Sequence, residues 1–420
     1  MSTPRFAVRA VAACCFLSLL SVGCGQSGGS SGDQAATGDK SNGQTAALPV
    51  ASISSPPTEA KPVGPDKGTA AWLLREIIKL RTTPLPATTT PAEREQAQQQ
   101  RDKKIVEMAT EAVAKSHSDP KQKAVFNAAV HHLVEARLQL ALRGDQQSID
   151  LLYDDADSLY RREPESKAAA EAAYALARFA HTNAQRFGKR EPRWIQEFAH
   201  QARYFARNFP KEDSRAATLL YAAGWSCELN HLIDEAIGCY TVIKEKFPKS
   251  GQARQVTAVL RRLNLSGGSL QLAGPTIDGG FTSIDQFQGK VVLIVFWSSD
   301  TARFVKQTPL LIAASKKFGK AGFEILGINL DEEEAAVDAF LEKHPLPGQQ
   351  IFYSEPEKRR WDNPIVQYYG IRNIPAYWLV DRQGIVRDVF VNPADLDKRL
   401  PALLKAAPLS KKSPKTTKKK

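Results

Sequence analysis

Cysteine is scarce in this sequence: five among 420 residues, at positions 14, 15, 24, 227 and 239. The apolar stretch VVLIVFWSSDTARFVKQTP (291–309) has none, so whatever its strand–turn–helix pattern serves, no thiol acts there. Only Cys227 and Cys239 fall in folded sequence. They either pair or stand as two small buried helix residues. No phosphate loop, nucleotide fingerprint or Ser-His-Asp arrangement occurs, and no cofactor is expected. His131 and His132 are adjacent, so on a helix they face different directions and make no metal pair. No metal site is expected.

The formal charge is +12, yet the tail KKSPKTTKKK alone carries six lysines. Half the excess therefore sits on a solvated end, and no nucleic-acid partner is expected. With 42% hydrophobic and 24% charged residues, the rest can bury sizeable cores.

The first residues place Arg5 and Arg9 before an apolar run from Ala10 to Val22, then small residues. The run is short for a membrane span and has the layout of a secretory signal, here residues 1–23. SVGC resembles a bacterial lipobox, with Ser21 where leucine is usual. That makes Cys24 the candidate lipidation site; the alternative is a soluble exported chain. The expected location is the periplasm or cell envelope, with membrane contact through the lipid. Residues 24–68, rich in Gly, Ser, Thr and Pro, read as a tether. Residues 406–420 read as a basic disordered tail.

From 69 to 265 the apolar spacing is helical throughout. Thr90 and Pro91 open one helix as cap and first position. Phe-Pro-Lys recurs at 209–211 and 247–249. Within 217–248, Leu220, Ala223, Gly224 and Cys227 share one helix face, and Ala236, Tyr240 and Ile243 share another. Gly224 and Ala236 are small where two antiparallel helices must approach. This unit fits the tetratricopeptide pattern, although the preceding unit has Phe198 where a small residue belongs. A tetratricopeptide-like array is expected, with an irregular helical domain as the alternative. Such arrays carry a concave binding surface.

After LSGGSLQLAGPTI the pattern alternates. Strands are expected at 291–297, 323–330 and 349–354, and a hairpin over 376–391 turning at Arg382-Gln383-Gly384. Helices are expected over the Pro309 segment, 332–344, 364–370 and the C-terminal end. Asp331 to Glu334 read as an acidic helix start in preference to a metal site.

Four blocks carry a resemblance: the Gly-Lys entry into VVLIVFW, GFEILGINLD, YYGIRNIP and AYWLVDRQGIV. Residues 270–405 resemble a TlpA/ResA-type thioredoxin-fold domain of the broader redoxin, AhpC/TSA group. The expected architecture is thus multidomain, an all-α tetratricopeptide-like array (69–265) followed by an α/β thioredoxin-like fold (266–405). The resemblance implies two active-site cysteines where this chain has Thr301 and Phe304. Phe296, Trp297 and Pro309 keep the family's positions. Peroxiredoxins of the group use Thr-x-x-Cys, and there the missing cysteine is again Phe304. Ser299, Asp300 and Thr301 suit a helix N-cap. Pro375 matches the family's cis-proline, and the backbone before it implies an edge for an extended peptide.

The residues point to an exported, non-catalytic protein that binds a protein or peptide. Trp297, Asp300, Ile374 and Pro375 are the candidate peptide contacts, and the helical array is a second candidate surface. The alternatives are a thiol–disulfide oxidoreductase or peroxiredoxin-related enzyme by descent, with altered or residual activity, and a purely structural envelope component.

Overall fold

The computed structural model describes residues 64–85 and 90–406. The signal segment, Cys24, nearly all of the tether and nearly all of the basic tail lie outside them. Nine α-helices come first among the described residues. They are α1 (Ala70–Thr82), α2 (Pro91–Ser116), α3 (Lys123–Leu142), α4 (Gln146–Arg162), α5 (Lys167–Phe187), α6 (Arg193–Asn208), α7 (Asp213–Leu229), α8 (Ile233–Lys246) and α9 (Gly251–Leu263). Helix α2 opens as expected. Thr90 accepts from the Glu93 N–H, Glu93 answers to the Thr90 N–H, and Pro91 stands first.

Consecutive helices pack against one another, and alanine allows the close approach. The face of α5 that meets α6 is largely alanine, from Ala169 to Ala184, with Phe198 and Phe205 of α6 filling the space. Gly224 is needed where α7 meets α8: a Cβ there would lie 2.6 Å from the Tyr240 ring. Cys227 and Cys239 are free thiols buried in this core.

The second region contains β1 (Ala273–Pro275), β2 (Phe281–Ser283), β3 (Val291–Trp297), α10 (Ala302–Phe318), β4 (Phe323–Asn329), α11 (Glu334–Lys343), β5 (Gln349–Ile351), α12 (Pro364–Tyr369), β6 (Ala376–Val380), β7 (Val386–Asp388) and α13 (Leu396–Lys405). Strands β1 and β2 form a small hairpin. The other five form one mixed sheet in the order β5-β4-β3-β6-β7. Strand β3 is central, parallel to β4 and antiparallel to β6. All seven of its residues are buried, as a strand covered on both faces requires.

Alternation along β3 divides two cores. Val291, Leu293, Val295 and Trp297 face residues of α10, α11 and α13. Val292, Ile294 and Phe296 face α12 and the entry segment. The helix expected over 332–344 spans Glu334–Lys343, with Glu333 at its N-cap position, and Asp331 before it is buried.

The helices and the sheet belong to one compact unit. The connecting segment pairs with the sheet edge: Gly267 N–H donates to Val386 O and Val386 N–H to Gly268 O, both at 2.8 Å. Helix α9 lies against α12, where Gly370 adopts φ +60°; a Cβ there would come 2.8 Å from the Val259 nitrogen. The contact therefore needs glycine for both backbone and space.

Candidate functional site

Strand β3 ends at Trp297, and its pairing of Phe296 with Ala376 sets the turn that follows beside Pro375. The Ile374–Pro375 bond is cis. The turn Ser298-Ser299-Asp300 leads to Thr301, the N-cap position of α10. Thr301 makes no side-chain cap bond. The capping role expected of Ser299, Asp300 and Thr301 is not what these oxygens do. Asp300 accepts from Ser298 Oγ, the Thr301 hydroxyl lies 3.5 Å from Asp300, and Ser299 donates to a carboxylate at the end of the neighbouring strand.

That carboxylate is Asp331, 5% exposed. It accepts from Ser298 Oγ at 2.7 Å, Ser299 Oγ at 2.8 Å, the Ser299 N–H at 3.0 Å and Asn329 Nδ2 at 2.6 Å. A buried charge is tolerated when its lone pairs are filled in this way. Ser298 Oγ also lies 2.6 Å from Asp300 Oδ1, so its single proton serves one carboxylate at a time. Asp331 was expected in an acidic helix start; instead it ties the turn after β3 to the end of β4. Asp331→Ala should cost about 3 kcal/mol in urea unfolding, because Ser299 Oγ, the Ser299 N–H and Asn329 Nδ2 lose their charged acceptor while Ser298 retains Asp300. A loss below about 0.5 kcal/mol, the size of an ordinary surface change, would show that the turn holds itself.

Phe304 occupies the first turn of α10 and is fully buried. Its ring stacks on Trp297 with centroids 4.8 Å apart and tilts against Phe340 at 5.7 Å. Trp297 is also fully buried, its Nε1 donating to Gln350 Oε1 at 3.0 Å. This corrects one expectation: Trp297 is no peptide contact but part of the floor beneath the turn. Asp300 is exposed, and Ile374 and Pro375 are half-buried at the surface. Arg360 reaches across the turn, 2.9 Å from Glu332 and 3.6 Å from Asp300.

The thiols of the described residues lie elsewhere. Burial pushes the Cys227 thiol up to about 12 and the Cys239 thiol up to about 11. A thiolate is thus disfavoured at both, and neither is a poised nucleophile.

The loop before Pro375 is held from outside the sheet. Arg372 inserts between α7 and α8, its Nη1 donating to the Tyr221 hydroxyl at 2.8 Å and its Nη2 to the Tyr240 hydroxyl at 2.9 Å. Glu228 pairs with Arg372 at 3.1 Å and with Arg262 at 2.7 Å. Nothing in local sequence marks Arg372, whose partners lie far upstream; the one available signal is Tyr221, Trp225 and Glu228 at helical spacing beside the predicted core face.

Residues 289–386 match a family model described as thioredoxin-like, and this region is a thioredoxin-like domain. A chloroplastic peroxiredoxin Q of Suaeda salsa is 32% identical over 131 residues, 30% of this chain and 60% of that protein. A thiol-disulfide oxidoreductase ResA of Bacillus thuringiensis is 26% identical over 110 residues, 26% of this chain and 60% of that protein. The chain thus spans about 60% of the length of these curated relatives. Among solved structures, a thiol:disulfide interchange protein from Bacteroides sp. is 26% identical with a TM-score of 0.30, covering 34% of this chain and 93% of that one. A putative DsbE from Chlorobium tepidum is 24% identical with a TM-score of 0.29, covering 34% and 98%.

Proposed function

We propose that this protein is a redox-inactive thioredoxin-fold adaptor that binds an extended protein or peptide segment along the backbone edge at Ile374-Pro375. One observation carries the reading: at the two positions where the resemblance implies cysteines stand a threonine, which has no thiol, and a phenylalanine locked in an aromatic stack. Thiol–disulfide exchange needs an attacking thiolate and a resolving thiol, and this site supplies neither. The turn is nevertheless kept rigid by Asp331, and the cis-proline lies beside it.

An exposed edge of main chain gives affinity through backbone hydrogen bonds, with side chains of the turn adding selectivity. Asp300, Ile374 and Pro375 are the contacts offered. The N-terminal signal pattern and Cys24 support a setting in the cell envelope, with a lipid anchor holding the domains off the membrane. The tetratricopeptide-like spacing of 217–248 supports the helical array as a scaffold for the thioredoxin-like domain.

A second reading draws support from the names of the relatives: an oxidoreductase with altered chemistry. An insulin-reduction assay separates the two. The natural chain should show no turnover above the uncatalysed rate, and Thr301→Val should change nothing. Turnover abolished by Thr301→Val would establish the enzyme and remove the adaptor.

A further inference from the structure

We infer that the helical array is a receptor for its own chain: Tyr221, Trp225, Glu228 and Tyr240 form a guanidinium cage whose ligand is Arg372, and this latch positions the cis-proline loop. The functional meaning of the latch rests on the peptide edge proposed above.

Tyr221, Trp225 and Glu228 are four and then three residues apart on α7, so they lie on one helix face. Tyr240 comes from α8, and all four side chains converge on one cation. The Arg372 carbon at the centre of its guanidinium sits 4.4 Å from the Trp225 ring centre, 5.2 Å from Tyr221 and 5.6 Å from Tyr240. Both terminal nitrogens also donate hydrogen bonds, to Tyr221, Tyr240 and Glu228. A planar group with forked donors and stacking faces fits such a site; an ammonium on a flexible stem satisfies only part of it.

The receptor face and its occupant belong to different parts of the chain. A helical array of this kind offers its concave side to a partner. Here the chain itself supplies the group that fills the site between α7 and α8. Arg372 is three residues before Pro375, so its anchoring limits the backbone freedom of Asn373 and Ile374. Arg372 is therefore a positioning residue for the edge, acting from behind it.

Hydrogen–deuterium exchange on the full chain tests the latch without any peptide. Arg372→Ala should raise exchange at least about tenfold in residues 370–376, since a local opening contributes its own free energy. The same rise is expected at 221–240, while 167–187 and 291–297 keep wild-type protection. Arg372→Lys should fall between. Ethylguanidinium added to Arg372→Ala at millimolar concentration should restore protection, and ethylammonium should not. If Arg372→Ala does not fold, Tyr221→Phe with Tyr240→Phe keeps the rings and removes two hydroxyl acceptors, and should show a smaller rise in the same segments. Unchanged exchange at 370–376, an equal rise everywhere, or equal rescue by the two cations would overturn the inference. Peptide binding is measured separately: lost binding with an intact latch counts against the adaptor, and an absent latch with intact binding counts against the cage.

Discussion

Thr301→Cys combined with Phe304→Cys is expected to give a chain that catalyses insulin reduction by dithiothreitol at least about tenfold above background, where the natural chain does not. The frame for that chemistry is present. Thr301 is the N-cap position of α10, where helix N–H groups favour a thiolate. Its hydroxyl makes no cap bond, so a cysteine there forfeits none. The neighbouring Asp300 opposes a thiolate, but Arg360 stands 3.6 Å from it and offsets part of its charge. Thr301→Cys alone should form a mixed disulfide and stall, because Phe304 cannot resolve it.

The gain comes with a loss of stability. Phe304 is fully buried between Trp297 and Phe340, and removing such a ring typically costs about 3–5 kcal/mol. Cysteine refills little of the space, so the double variant should unfold at markedly lower urea. Reduction without any stability loss would mean that the aromatic stack does not hold the site. A stable double variant without turnover would mean that the frame is no longer that of an exchange site.

The second large effect is expected at Glu228. Glu228 is 7% exposed, and its carboxylate lies between two guanidinium groups, Arg262 at 2.7 Å and Arg372 at 3.1 Å, with the Tyr240 hydroxyl donating to it at 3.3 Å. Arg262 is itself 5% exposed and donates to the Tyr369 carbonyl across the boundary. Removing the shared carboxylate leaves two like charges facing each other with little water, which costs about 3–5 kcal/mol for a broken buried pair. Glu228→Ala should therefore weaken the joint between helices and sheet more than either part. Far-ultraviolet circular dichroism and tryptophan fluorescence should then report separate urea transitions, whereas the natural chain should show coincident ones. Coincident transitions with a loss under about 1 kcal/mol, the range of surface ion pairs, would show the joint to be held by apolar contacts alone.

Much of the architecture is legible in order along the chain. Helix after helix from 91 to 263 follows the apolar spacing, and the Thr90 cap forms as its pattern implies. The seven-residue run at 291–297 is a buried central strand, and the cis bond falls at Ile374–Pro375, as the resemblance implies. The exchange of sulfur positions for Thr301 and Phe304 can also be read directly. The site itself is less legible. Trp297 reads as a candidate peptide contact at the end of its strand and lies in the core. Asp331 looks like a helix-start acid and is the anchor of the turn.

What separates these two groups is distance along the chain. Helix faces, caps, buried strands and the absence of a thiol depend on residues within a few positions of one another, so the sequence determines them. Asp331 reaches Ser298 and Ser299 across two strand ends, and Arg372 reaches Tyr221, Glu228 and Tyr240 across most of the thioredoxin-like domain. A charged side chain has many chemically equal partners in a sequence of this length. Only the packing of α9 on α12, with Gly370 admitting the close approach, brings one set within hydrogen-bond range and excludes water from it. The tertiary structure thereby decides which carboxylate holds the turn, and that the face of α7 beside its core stripe is occupied by the chain's own arginine.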